Sequence, residues 1–424
     1  MSQSADSFSP PSSSSFFGMS RKALTIVVAA CLISLVGFGV RASFGLYLEP
    51  MTGDREWSRE TFALAMAIQN LLWGLGVPVA GAIADRYGPA RVIAIGAIVY
   101  ALGMVGMAMT ESALLMYLTG GLLVGLGVAF TAFSLALAAI ARVVGPSKRS
   151  LALGLGTAAG SFGQVVFSPI SQGLIAGYGW DHALVIVAVI SLVMIPLAII
   201  LPRGGQSPGE AHSDQTLKEA FGEAFSHRGY VLLTIGFFVC GFHIAFIVVH
   251  FPAYIGDIGL SPMVGAYALA LVGLCNIAGS FLAGAIGQKF SKKSALSVIY
   301  FARSVVIIGL LMAPATEITI YAFSIAMGFL WLSTVPLTSG IVVQVFGIKY
   351  MASLFGIVFL SHQLGSFIGV WMGGFIYQQQ GSYDLMWWAG VFLGFFAAIV
   401  HWPIDEKPLP RLSLAADAQA TGVR

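Results

Sequence analysis

Five basic or proton-binding side chains stand inside strongly apolar runs: Arg41, Arg303, His243, His250 and His362. A cation at the centre of an apolar helix costs roughly 2.5–3.5 kcal/mol on insertion scales, so its retention asks for a reason. The ordinary reason is a nearby carboxylate. None lies at comparable depth, because all 18 Asp and Glu residues fall in polar loops, tails or the ends of apolar runs. The missing negative charge points to an anion from outside the chain. A guanidinium fork binds a carboxylate through two parallel hydrogen bonds. Arg41 is the leading candidate, with Gly37 and Gly39 beside it giving room to reach inward. The competing readings are snorkelling to the surface or pairing with Glu49. His362 would bind an anion when protonated and release it when neutral, or else bridge two helices as a neutral ring. His243 and His250 are seven apart on one helix face. With His362 they are the candidate proton carriers, and His243 is also a candidate substrate contact. His250 precedes Pro252 and also fits an interfacial position. Arg303 is read as a structural cation. Asn70, Gln164 and Asn276 complete the candidate pocket, as neutral polar residues that could equally tie helices together.

These residues need membrane-spanning elements to position them. Hydrophobic residues make up 58% of the 424 positions and charged residues 9%, against roughly 25% charged in soluble domains. The composition predicts an all-α integral membrane protein. Apolar runs near 20 residues, each long enough to cross a ~30 Å hydrocarbon core, predict twelve spans. They are 24–47, 62–84, 92–110, 113–141, 150–176, 183–201, 229–255, 263–287, 294–313, 317–345, 350–377 and 385–403. The Ser-rich segment 1–20 reads as a disordered cytoplasmic tail, and the run after Arg21 and Lys22 as a retained first helix rather than a signal peptide. Residues 21–201 form the first six-helix bundle, 202–228 a polar cytoplasmic linker, 229–403 the second bundle and 404–424 a cytoplasmic tail. Of 21 Lys and Arg residues, Arg41 and Arg303 lie in apolar runs and Arg55 and Arg59 on the outer side; the rest fall on the side of the termini. That bias puts both termini in the cytoplasm of a multi-pass protein of the cell inner membrane. Lipid is the expected surroundings, a monomer the expected state, and nucleic acid no partner. Cys31, Cys240 and Cys275 have no metal-ligand spacing. Nucleotide-loop and metalloprotease motifs are missing too, so neither an enzyme nor a metal or cofactor is expected.

The halves repeat. Gly81-Ala82-Ile83 recurs as Gly284-Ala285-Ile286, Gly37-Phe38 as Gly241-Phe242, and Gly160-Ser161-Phe162 as Gly365-Ser366-Phe367, at offsets of 203, 204 and 205. Both halves start on the same side, so a pseudo-two-fold along the membrane normal relates the bundles. The loop after the second span carries Gly81, Asp85, Arg86, Gly88 and Arg91, with a degenerate copy from Gly284 to Lys293. It resembles the signature loop of the major facilitator superfamily, G-x-x-x-D-R-x-G-R-R. Gly81 would allow close helix approach, Asp85 would pair with basic residues or cap a helix, and Gly88 would turn the chain. Together they would form a conformational latch. The resemblance spans 21–405.

Trp57-Ser58-Arg59, the run from Lys148 to Gly154, Ser361 to Gly365, and Gly381 to Asp384 resemble the bacterial monocarboxylate-transporter-like branch, related to the oxalate–formate antiporters. The resemblance implies a carrier that moves a small monocarboxylate by alternating access, proton-coupled or by exchange. It puts a functional lysine of monocarboxylate transporters within about one residue of Arg41. It puts the antiporters' substrate-binding lysine at His362, seven residues after Phe355. It also departs from that branch: where monocarboxylate transporters carry Asp and Arg four residues apart on the eighth helix, Asn276 and Ser280 stand here. Their proton relay therefore cannot be carried over. The alternatives are an exporter of amphipathic compounds and a non-transporting membrane receptor.

Overall fold

The structure is a computed structural model that describes residues 20–144, 146–202, 215–347 and 349–412, without the side chains of Asp85 and of residues 146–151. The expectations for residues 1–19 and 413–424 of the tails and 203–214 of the linker therefore lie outside the described residues, as do those for the side chains of Asp85, Lys148 and Arg149. Hydrocarbon offers backbone groups no water, so each N–H and C=O must be satisfied within the protein, and helices do this locally. Among the described residues the chain forms twelve long helices: α1 Arg21–Asp54, α2 Arg59–Tyr87, α3 Pro89–Met109, α4 Ala113–Val143, α5 Pro146–Tyr178, α6 Trp180–Ile200, α7 Arg228–Asp257, α8 Pro262–Lys289, α9 Lys292–Met312, α10 Glu317–Phe346, α11 Met351–Gln380 and α12 Asp384–His401. They make two six-helix bundles. One hydrophobic core runs from Ile26 to Leu201, joined by Ala245, Val249, Ala253 and Val370 at the seam. The other runs from Ala224 to Ile404.

Several helices are interrupted, and the interruptions have local causes. Helix α1 runs further than its sequence span, through a 3-10 turn at Phe44–Tyr47, to Asp54. Helix α10 breaks at Trp331, just before Pro336. Proline has no N–H, and its ring crowds the carbonyl four residues back, that of Leu332. Its repeat partner α4 breaks at Thr131 and carries a π-helical stretch, Tyr117–Leu123. Gln69 donates to the Gly120 carbonyl in that stretch at 3.4 Å. The polar linker holds one element that hydropathy did not disclose, the helix Leu217–Ser226. A capping box of Thr216 and Glu219 starts it, and a two-pronged ion pair from Arg411 to Glu223 holds it beneath the second bundle.

Glycines set the closest contacts in both halves. A Cβ on Gly163 of α5 would lie 2.0 Å from the Leu35 carbonyl oxygen of α1; one on Gly365 of α11 would lie 2.0 Å from that of Phe238 in α7. These are equivalent crossings of the repeat, and both meet rigid backbone. Replacing Gly365 with valine should therefore cost at least ~1–3 kcal/mol of overpacking. Thermal unfolding of the purified protein in detergent checks this: a melting temperature several degrees lower is expected, and an unchanged one would contradict the crossing.

Candidate substrate-binding site

Helix α1 carries Arg41 just before the 3-10 turn, and burial leaves it 9% exposed. It neither snorkels nor pairs with Glu49. Its guanidinium donates to Asn70 Oδ1 of α2 and lies over the Trp73 ring, 4.3 Å from the centroid. Asn70 is held in turn by donating to the Met66 carbonyl at 2.8 Å. The Arg41 Nε is buried without a described partner. A desolvated cation–π contact contributes up to ~2 kcal/mol and a hydrogen bond to a charged group ~1.5–3 kcal/mol. Together they match the insertion cost of the cation. The fold thus tolerates Arg41 without a resident carboxylate and leaves it a free donor.

A line of rings runs from Arg41 into the second half. Trp73 meets Phe359 of α11 edge-on at 5.5 Å, and Phe359 stacks on His362 at 5.7 Å and 11°. His362 is 7% exposed and also lies 5.0 Å from the Phe237 ring. Its Nδ1 is 3.1 Å from Gln363 Oε1, whose Nε2 is buried without a described partner. The bundles press together at this level: a Cβ on Gly74 would lie 2.7 Å from Gln363 Cγ. Two aromatic rings thus separate Arg41 and His362 across the boundary between the halves. Trp73 was not singled out from the sequence, although it follows Asn70 by three residues and so shares its helix face.

The other polar candidates tie helices together. Gln164 of α5 donates to the Leu269 carbonyl of α8 at 2.8 Å. Asn276 donates to Ser161 Oγ at 2.9 Å, and its Oδ1 accepts from Ser280 at 3.1 Å and from the Leu332 N–H at 2.9 Å. That N–H belongs to the break in α10. Arg303, fully buried, serves the same break by donating to the carbonyls of Leu330, at 2.7 Å, and Trp331. His243 and His250 do not face Arg41 and His362. His243 Nε2 lies 2.7 Å from the Gly390 carbonyl of α12; His250 lies 2.8 Å from the Val370 carbonyl of α11 and 3.1 Å from the Tyr383 hydroxyl. His243, a candidate substrate contact, and both histidines as candidate proton carriers instead pack on α12 and α11, where backbone carbonyl oxygens accept from their rings.

The face away from the termini, the outer face by the Lys and Arg bias, is closed by a network the sequence did not disclose. Arg59, at the start of α2, grips Asp257, at the end of α7, through two contacts of 2.7 Å. It also donates to Glu49 at 3.1 Å and to the Tyr383 hydroxyl at 3.1 Å, and sits 3.9 Å from the Tyr377 ring centroid. Alongside, a Cβ on Gly45 would lie 2.0 Å from the Val248 carbonyl oxygen, so α1 and α7 touch backbone to backbone. At the opposite face, Arg86 and Arg91 are exposed. Gly88 adopts φ +90°, the turn expected of it. Gly81 was expected to allow close helix approach; a Cβ there would meet nothing within 4 Å. Gly284 and Gly356 are equally open.

The chain belongs to the Major Facilitator Superfamily, whose family model matches residues 29–370. It is therefore a multi-pass membrane transporter and not an enzyme. Among curated relatives, Monocarboxylate transporter 13 of Rattus norvegicus is 25% identical over 375 residues, covering 87% of this chain and 86% of its own. The uncharacterized MFS-type transporter YcxA of Bacillus subtilis is 24% identical over 388 residues, covering 87% and 91%. Two solved structures share the fold. A D-xylose-proton symporter aligns with TM-score 0.71 at 16% identity, covering 91% of this chain and 99% of its own. A bacterial homolog of the human lysosomal transporter Spinster, inward-facing and occupied, aligns with TM-score 0.72 at 15% identity, covering 91% and 97%.

Replacing Arg303 with methionine should leave the two α10 carbonyls buried and unpaired, at ~1–3 kcal/mol each. A clearly lower melting temperature is expected, below that of an Arg41→Met variant. Equal melting temperatures would contradict the assignment of Arg303 to the helix break.

Proposed function

We propose that this transporter is a secondary carrier of a small organic anion, a monocarboxylate, working by alternating access in the inner membrane with both termini cytoplasmic. The single observation that carries the reading is Arg41: buried, unpaired with any described carboxylate, and with its Nε free to donate. A carboxylate seated against it would gain a charge-assisted hydrogen bond and an aromatic wall from Trp73, and would supply the negative charge that the helices lack. His362, at the far end of the ring line, would contact the cargo from the second bundle. The relatives named monocarboxylate transporters support the same class. Asn70 would hold the guanidinium in place, while Gln164 and Asn276 would bridge the bundles. Gly81, Asp85, Arg86, Gly88 and Arg91 would latch the cytoplasmic ends once those ends close. Drive comes from a proton or from exchange of anions. An exporter of amphipathic cations fits less well, since such cargo would meet Arg41 as a like charge, and a non-transporting receptor would have no use for a closable outer seam.

Uptake into proteoliposomes tests this with radiolabelled acetate, lactate and pyruvate, competed by succinate and by the neutral amides, with and without a pH gradient. Arg41→Gln should lower carboxylate uptake roughly 10- to 100-fold, the loss of one charge-assisted bond of ~1.5–3 kcal/mol, while Arg41→Lys should keep part of it. Normal uptake by Arg41→Gln would defeat the assignment. If His362 is protonated when it holds the anion, His362→Ala should flatten the pH profile of uptake; a profile of unchanged shape makes the histidine structural.

A further inference from the structure

The outer network contains more negative than positive charge, and the way it is split between the bundles has a consequence. Glu49 and Arg59 belong to the first bundle, at the ends of α1 and α2, while Asp257 belongs to the second, at the end of α7. With the bundles apart, Glu49 and Arg59 make a balanced pair. Closing brings in Asp257, which takes both terminal nitrogens of the Arg59 fork at 2.7 Å and leaves Glu49 one contact at 3.1 Å. Two carboxylates then share one guanidinium in a seam where the Arg59 side chain is only 12% exposed. The other groups facing Glu49 do not correct the imbalance. Tyr377 donates its hydroxyl hydrogen bond to Asp257, Tyr383 accepts from Arg59, and His250 lies behind Tyr383. Glu60 on α2 is turned to the Trp371 indole, and α5 offers Gln172, which carries no charge. Glu49 nevertheless keeps solvent: its side chain is 38% exposed, and it borders an outer cavity of about 320 Å³ lined also by Gly45, Leu46, Gln172, Pro252 and Pro262.

We propose that Glu49 is a proton-binding site on the outer face that sets the position of the outer gate. A proton on Glu49 leaves the Arg59–Asp257 pair balanced, so the closed gate holds that proton better than the open one does. Linkage then fixes the sign: the closed population rises as outer pH falls and drops as it rises through the carboxylate range. Because the cavity keeps Glu49 in contact with the outer solution when the gate is shut, the proton senses outer pH and is not carried across. This rests on the alternating-access part of the proposed function and not on the identity of the cargo.

Spin labels on Gly53→Cys of α1 and Gln379→Cys of α11 test it, with Cys31, Cys240 and Cys275 replaced by alanine. The distance distribution is read in lipid nanodiscs without any organic anion. Between about pH 3.5 and about pH 7, a span covering a carboxylate's titration, the short-distance population should fall several-fold. Glu49→Gln should hold it high across the range. Asp257→Ala should lengthen the distance at every pH. A wild-type distance that ignores pH while Asp257→Ala opens the pair would overturn the proton site alone. So would a full pH response retained in Glu49→Gln, which would move the titrating group elsewhere, His250 included. If Asp257→Ala also leaves the distance fixed, the gate does not move, and the alternating-access reading falls with the proton site.

Discussion

In hydrocarbon a polar group keeps only the partners the protein gives it, and this constraint sorts the polar residues of the chain. Arg303 is held by a helix defect: a proline-induced break in α10 frees carbonyls, and the guanidinium donates to those of Leu330 and Trp331, although its Nη1 is buried without a described partner. Asn276 takes the N–H on the other side of the same break. His250 has a partner on each ring nitrogen, while His243 donates to a carbonyl of α12 and keeps its Nδ1 buried without a described partner. Arg41 is the contrast. A neutral amide and an indole face hold it in place, enough to offset its burial but not enough to neutralise its charge. Two arginines with the same sequence context, each alone in an apolar run, thus differ because one faces a helix defect and the other faces an aromatic wall at the boundary between the halves.

The same constraint explains how the bundles meet. Each half is packed around its own glycine crossings, at Gly163 and at Gly365. Between the halves, α2 packs along α11 and α5 along α8, with Gln164 and Asn276 bonding on the α5–α8 side, Trp73 and Phe359 meeting on the α2–α11 side, and Arg59 gripping Asp257 at the outer end. The outer end is shut by ions and by the Gly45–Val248 contact, while Gly81, Gly284 and Gly356 stand in open space at the other end.

Much of this was legible in the sequence. Hydropathy and the Lys and Arg bias gave the spans, the offsets near 204 gave the two halves, and the solitary depth of Arg41 marked it out. Periodicity alone misled for His243 and His250, because a shared helix face does not say which neighbour that face meets. The outer network escaped for the opposite reason. Glu49, Arg59 and Asp257 sit at helix ends, where charge is unremarkable, and lie far apart in the chain; only the pairing of the bundles brings them onto one guanidinium. The helix in the linker was within reach, since Thr216 and Glu219 spell a capping box, but a short amphipathic segment leaves little trace in hydropathy.

The central claim is that the cargo's negative charge completes Arg41. Isothermal titration of the purified transporter with lactate and with lactamide measures this without gating or coupling. The account predicts heat from lactate, about 100-fold weaker binding of the amide, and no lactate binding by Arg41→Gln at the same concentrations. Equal affinity for the acid and its amide, or undiminished binding of lactate without the guanidinium, would contradict it.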